Sequence, residues 1–312
     1  MSTQKGIGIA NGKIILMGEH AVVYGEPAIA FPFSGTTVTA TLTTASSPTL
    51  TSSYYNGPLE QVPTELTSIQ TLVQRLTNDY QSPACHITIE STIPAERGMG
   101  SSAAVAVAIT RAFFAWQKIA YDTKQLLAYV NQSEVIAHGN PSGIDAAATS
   151  GHDPILFEKG QPFTTFALNI DAHLIVADTG VKGKTRETVK DVRALMEQHP
   201  QTTLATIQQL GQLVNDAKQA IVLNQATELG MIMNQAHHYL QQLGVSDATL
   251  DNLITCAREN GALGAKLTGG GRGGCMIALA QSALDAKKIA HKLTQAGAKS
   301  TWIQELGVYE YA

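Results

Sequence analysis

Apolar and polar positions along this 312-residue chain sort into blocks of strand and helix character. In the first half, strand patterns occupy residues 6–17, 36–43 and 86–90; in the last of these Ile87 and Ile89 alternate with His86, Thr88 and Glu90. Helix patterns follow at 101–118 and 123–137, the second with Asp122 placed to cap it. The second half starts near a strand at 173–178 and runs through helix patterns at 184–198, 203–222, 226–243 and 247–260. Strands return at 262–267 and 275–280, and a helix at 283–295 with a strand near 301–305 closes the chain. The grouping predicts an α+β protein of two domains, 1–158 and 159–312, with the boundary between Ser150 and Phe166. The Ser/Thr-rich segment 41–53 reads as a loop or an edge hairpin.

Four segments depart from ordinary patterning. Residues 93–110 read IPAERGMGSSAAVAVAIT, a glycine-serine turn running into a helix of small residues. Gly98 and Gly100 permit a tight turn, and Ser101 and Ser102 sit where a helix begins, so the open N–H groups of that first turn suit an anion. No lysine precedes the serines, which excludes the P-loop G-x-x-x-x-G-K-S/T. Gly98, Gly100 and Ala103 also fit the dinucleotide G-x-G-x-x-A, but that fingerprint needs a strand leading straight into its first glycine, and Pro94, Glu96 and Arg97 intervene. Taken alone, the segment is equally a helix start with two serines competing for the N-cap.

Residues 266–280 read KLTGGGRGGCMIALA, with five glycines in six positions at 269–274. That exceeds what a hairpin turn needs and fits a backbone that must come close to a ligand; a floppy connection is the plainer alternative. Residues 131–148 read NQSEVIAHGNPSGIDAAA. Glu134 lies near a helix C-terminus, where its charge opposes the dipole, so helix stability does not explain it. Asp145 follows a Pro-Ser-Gly turn and by itself reads equally as an N-cap. Residues 13–25 read KIILMGEHAVVYG: a buried strand ends in Gly-Glu-His, and Lys13 flanks it. A lone His20 is more often structural, and a lone Lys13 more often solvated.

In this order and over most of the chain, GKIILMGEHAVVYG, PAERGMGSSAA, HGNPSGID and KLTGGGRGGC resemble the GHMP kinase superfamily, and within it the mevalonate kinase branch. The resemblance implies an S5-like N-terminal domain and a ferredoxin-like C-terminal domain, with the active site in the cleft between them. It implies ATP and Mg2+, and mevalonate as the acceptor. By the same resemblance Glu96, Gly98, Met99, Gly100, Ser101, Ser102 and Ala103 would hold the nucleotide phosphates, with Ser102 and Glu134 on the metal. Asp145 would serve as base, with Lys13 beside it to stabilise charge on the transferring group. Glu19, His20 and Thr185 would line the substrate site, and residues 269–274 would wall it. Other small-molecule kinases of the superfamily, for phosphomevalonate or a sugar, and a non-catalytic sensor on the same fold are the alternatives. Ala21, Val22 and Val23 after the Gly-Glu-His favour a branched hydroxy acid over a sugar, and intact Lys13, Ser102, Glu134 and Asp145 argue against a sensor.

Two departures limit the transfer. Val105 stands where the family often has an aromatic residue that touches substrate, and Arg272 interrupts the glycine run. Arg272 reaches a phosphate or points to solvent; the sequence leaves both open. A net charge of −4 gives no footprint for nucleic acid or an anionic membrane. Three widely spaced cysteines, Cys85, Cys256 and Cys275, have no metal-ligand spacing and read as reduced thiols. No apolar stretch reaches membrane-spanning length and the start MSTQKGIG has no secretory core, so the cytoplasm is the expected compartment. Oligomeric state stays open, a homodimer being one candidate.

Overall fold

The computed structural model describes residues 4–139, 141–158 and 160–307. The chain divides into two compact units, one of Met1–Lys13, Pro32–Pro94 and Gly100–His152, the other of Ile14–Phe31, Ala95–Met99 and Asp153–Ala312. The units interleave rather than following one another as 1–158 and 159–312, because two long strands, β1 (Lys5–Met17) and β2 (Ala28–Thr44), each run on from one unit into the other.

In the first unit, β3 (Thr49–Thr51) and β4 (Asn56–Pro58) pair antiparallel, β3 pairs parallel with β5 (Cys85–Ser91), and β5 pairs antiparallel with β2. Since β5 lies between β2 and β3, the segment expected as a loop or hairpin at 41–53 instead carries the chain across a neighbouring strand. Helix α1 (Thr67–Asp79), which no sequence motif marks, buries Leu72, Val73 and Leu76. Helix α2 (Ser101–Gln117) is apolar on all sides and is the core of this unit, with Phe113, Phe114 and Trp116 buried. Strand β1 comes close to it through glycine: a Cβ on Gly6 would lie 2.2 Å from the Ala112 carbonyl. Helix α3 (Thr123–His138) starts at a capping box of Asp122 and Gln125, as the sequence predicts. The short α4 (Ile144–Ser150) follows.

In the second unit, the first residues of β2 pair with β6 (Ile155–Phe157), which pairs with β7 (Thr164–Thr165). A four-stranded antiparallel sheet takes the order β11-β8-β10-β9, from β8 (His173–Asp178), β9 (Gly264–Thr268), β10 (Cys275–Ala280) and β11 (Ser300–Glu305). All residues of β9 and β10 are buried. Helices α7 (Ala226–Gln242), α8 (Ala248–Glu259) and α9 (Ala283–Gln295) pack on this sheet. Helix α6 (Pro200–Val222) packs on α7, and α5 (Thr185–Gln198) on α6. The α+β class and the two-domain organisation match the expectation. No helix among the described residues is long and apolar enough to cross a membrane.

Candidate active site

Two groups of the singled-out side chains assemble, one in each unit. In the first unit, Lys13 Nζ lies 3.1 Å from Asp145 Oδ1. Lys13 is buried although it is charged, whereas Asp145 is about one-third exposed, its side chain at 36%. The stem of Lys13 crosses the start of α2, and only glycine leaves it room: Gly100 has φ 70° and a Cβ there would lie 2.8 Å from Lys13 Cγ. Neither serine caps α2. Gly100 is its N-cap residue, so Ser101 and Ser102 already belong to the helix. The Ser102 hydroxyl is turned instead to Glu134 of α3, donating to Oε1 at 2.5 Å.

Asp145 is not a cap either. Gly143, with φ 86°, is the N-cap residue of α4, and Asp145 falls in the first turn. There its charge gains from the helix dipole by roughly 0.5 kcal/mol, a modest sum that does not account for its pairing with a buried lysine. Glu134 is 3% exposed, and burial raises its carboxyl pKa. The Ser102 hydrogen bond and His138, whose Nε2 is 3.8 Å from Oε2, work in the opposite direction. Asp145 adds to the rise and Lys13 opposes it, so the five side chains form one electrostatic cluster.

In the second unit, the strand end that follows Lys13 in the chain delivers Glu19 and His20. Glu19 is buried in an ion pair with Lys266, a lysine of β9 with no exposed surface. Burial lowers the Lys266 pKa and Glu19 opposes that shift. Lys266 also donates to the Leu267 carbonyl at 2.8 Å. His20 sits at φ 61°, heading a 3-10 turn of Ala21–Tyr24. Its Nε2 donates to the Gly270 carbonyl at 2.9 Å, which makes Nδ1 the acceptor of the ring in its neutral form. Burial lowers the His20 pKa; the Gly270 bond counters this and Arg272 reinforces it.

The glycine-rich loop, residues 269–274, closes this group. The Gly270 carbonyl also accepts from Thr188 of α5 at 2.9 Å. A Cβ on Gly270 would lie 2.0 Å from the Thr185 hydroxyl, so glycine is required where the loop meets the start of α5. Gly98 packs on the loop as well, a Cβ there lying 3.7 Å from Gly269 Cα. Met99 is buried, while Glu96 is exposed and ion-paired with Lys182. Arg97 anchors the preceding turn, its Nε donating to Asp178 Oδ1 at 2.7 Å and its Nη2 to the Gly180 carbonyl at 3.0 Å.

Arg272 takes neither of the directions that the sequence leaves open. Its Nε and Nη2 donate to the Gly244 carbonyl at 3.0 and 2.8 Å, and its Nη1 pairs with Asp191. Four participants escape sequence reasoning: Lys266, Arg97, Asp178 and Thr188. Lys266 alone leaves a local sign, a lysine set in the apolar run of a strand.

Ser102 and Glu134 are both oxygen donors of the kind Mg2+ takes, and two protein ligands suffice for an ion that keeps several waters. Among the described residues no group of three or more His, Cys, Asp or Glu side chains is placed to hold a metal.

The comparisons with known proteins agree in kind. Residues 67–152 match the model of the GHMP kinases N terminal domain, and residues 217–299 that of the GHMP kinases C terminal. A mevalonate kinase of Pyrococcus furiosus is 34% identical over 304 residues, covering 88% of this chain and 89% of that protein. The chain is similar in structure to L. major mevalonate kinase in complex with R-mevalonate, with TM-score 0.87 and 27% identity over 99% of both chains. It is also similar to mevalonate kinase from methicillin-resistant Staphylococcus aureus, with TM-score 0.77 and 35% identity over 98% of this chain and 100% of that one.

Proposed function

The chain belongs to the GHMP kinase family, and from that premise we propose that it transfers the γ-phosphoryl group of ATP to the terminal hydroxyl of mevalonate, giving 5-phosphomevalonate and ADP. The observation that carries this reading is the Lys13–Asp145 pair at 3.1 Å, in one cluster with the Ser102–Glu134 hydrogen bond. Mevalonate as acceptor is supported by the relatives' names and by the mevalonate bound in the L. major structure.

Phosphoryl transfer asks a protein mainly to hold two reactants in line and to stabilise charge on the γ-phosphoryl oxygens. Asp145 accepts the hydroxyl proton as the hydroxyl oxygen attacks phosphorus and the bond to ADP breaks. Lys13 meets the charge that develops on the transferred oxygens, and the open N–H groups at the start of α2 meet the phosphates. Ser102 and Glu134 would hold Mg2+, whose double charge offsets that of the triphosphate. Glu19, His20 and Thr185 would bind mevalonate, His20 offering the Nδ1 acceptor to a hydroxyl. The three cysteines are thiols, which suits a reducing cytoplasm.

The test is ADP release measured side by side with mevalonate, phosphomevalonate, homoserine and galactose. Mevalonate is expected to lead by at least about tenfold in kcat/KM, roughly 1.4 kcal/mol of transition-state binding. Equal or better turnover of any other acceptor overturns the assignment.

A further inference from the structure

We propose that Arg272 is a positioning residue that sets the Gly270 carbonyl for His20, and so tunes mevalonate binding; the proposal rests on the kinase reading above and deepens it. Its starting point is an anomaly in the glycine loop. Gly269, Gly271, Gly273 and Gly274 all have positive φ, at 78°, 79°, 102° and 77°, which is what glycine is for. Arg272 sits among them at φ 47°, in a conformation that disfavours any side chain. Such a conformation persists only where the surrounding contacts hold it.

That side chain ties three segments together. Two guanidinium nitrogens grip one carbonyl, that of Gly244 in the turn between α7 and α8, and the third pairs with Asp191 on α5. The Arg272 backbone N–H adds a bond to the Val245 carbonyl at 2.9 Å. The turn it grips is itself fixed: Ser246 Oγ donates to Asp251 Oδ1 at 2.6 Å, and Asp247 caps α8 through the Leu250 N–H at 2.9 Å. Two residues before Arg272, the Gly270 carbonyl receives both His20 Nε2 and Thr188 Oγ1 at 2.9 Å. Between them, the Gly271 carbonyl accepts the Lys184 N–H at 3.2 Å. Five glycines in six positions offer no side chain to anchor the backbone that carries this carbonyl. Arg272 supplies the missing constraint by pinning the loop at its one side chain.

Replacement by glycine makes the decisive variant, because it relieves the backbone while removing the grip. In Arg272→Gly the KM for mevalonate is expected to rise about tenfold, with KM for ATP within about twofold and kcat within about threefold of wild type. Thermal stability should hold or improve, and the His20 Nε2–H resonance should shift. Arg272→Lys, which keeps the charge opposite Asp191 but lacks the planar fork that grips the Gly244 carbonyl, should recover only part of the rise in KM. A mevalonate KM in Arg272→Gly within about twofold of wild type, whatever happens to Tm, overturns the proposal. If the wild-type protein does not phosphorylate mevalonate at all, the kinase reading fails, and the His20 resonance decides this one alone: a shift in Arg272→Gly supports it and an unmoved resonance ends it.

Discussion

Lys13 and Asp145 come from opposite ends of the first unit's sequence and meet at 3.1 Å, the lysine buried and the aspartate open to an incoming group. Because Gly143 occupies the N-cap position, Asp145→Asn disturbs no cap and removes little beyond the charge. Positioned general bases contribute about 10²- to 10⁴-fold. The expected result is a fall in kcat of at least about 10²-fold with ATP affinity, by titration, within roughly threefold. Near-normal kcat would leave Asp145 as a first-turn acid whose lysine partner is structural.

Glu134→Gln keeps shape and can still accept from Ser102, but it removes a charge that burial disfavours. Turnover should fall and the Mg2+ concentration for half-maximal rate should rise, while Tm without metal holds or increases. An unchanged Mg2+ dependence would detach Glu134 from the metal.

A histidine outside the site sets an acid limit on stability. His237 of α7 is 1% exposed and bonds Asp251 Oδ1 through Nε2 at 3.1 Å. Burial, reinforced by Arg258 and Lys266 and opposed by Asp251, pushes its pKa down to about 4. The unfolded chain therefore takes up this proton first as pH falls through 6.5, so stability is full above about 6.5 and declines towards 4. The shift corresponds to roughly 3 kcal/mol. Urea midpoints measured across that window should fall on acidification, and His237→Gln should flatten the slope. The same slope in both proteins would assign the acid loss to other groups.

What the sequence reveals follows the range of the interactions. Strands at 173–178 and 275–280 and the helix at 283–295 appear over the expected residues, since patterning and the Ser282 cap are local signals. Strand β2 begins at Ala28 rather than 36 and runs through Pro32, a residue that local strand preference disfavours. Lys13, Ser102, Glu134 and Asp145 are singled out by the family resemblance, since each alone has an ordinary structural reading, and their pairing across 132 and 32 residues has no local trace. The Lys266–Glu19 and Arg97–Asp178 pairs, 247 and 81 residues apart, are invisible for the same reason. Arg272 stands out as an exception in the glycine run, but its target, a carbonyl in another turn, is a tertiary fact.

Gly100 offers a test of how the α2 start and Lys13 depend on each other. Its φ of 70° disfavours alanine, and a new Cβ would lie 2.8 Å from Lys13 Cγ and 3.2 Å from Thr149 Cγ2. Gly261, with φ 100° and no atom within 4 Å of a new Cβ, carries the backbone strain without the collision. Both Gly100→Ala and Gly261→Ala should lose about 1 to 2 kcal/mol of stability from the left-handed backbone. Only Gly100→Ala displaces Lys13, whose stem must give way by several tenths of an ångström and take the ammonium out of register with Asp145. A misplacement of about 1 Å is worth up to about 10²-fold in rate, so kcat should drop by at least about tenfold in Gly100→Ala and stay near wild type in Gly261→Ala. Equal kcat in the two variants would mean that the close approach of Lys13 to the helix start is packing without consequence for the reaction.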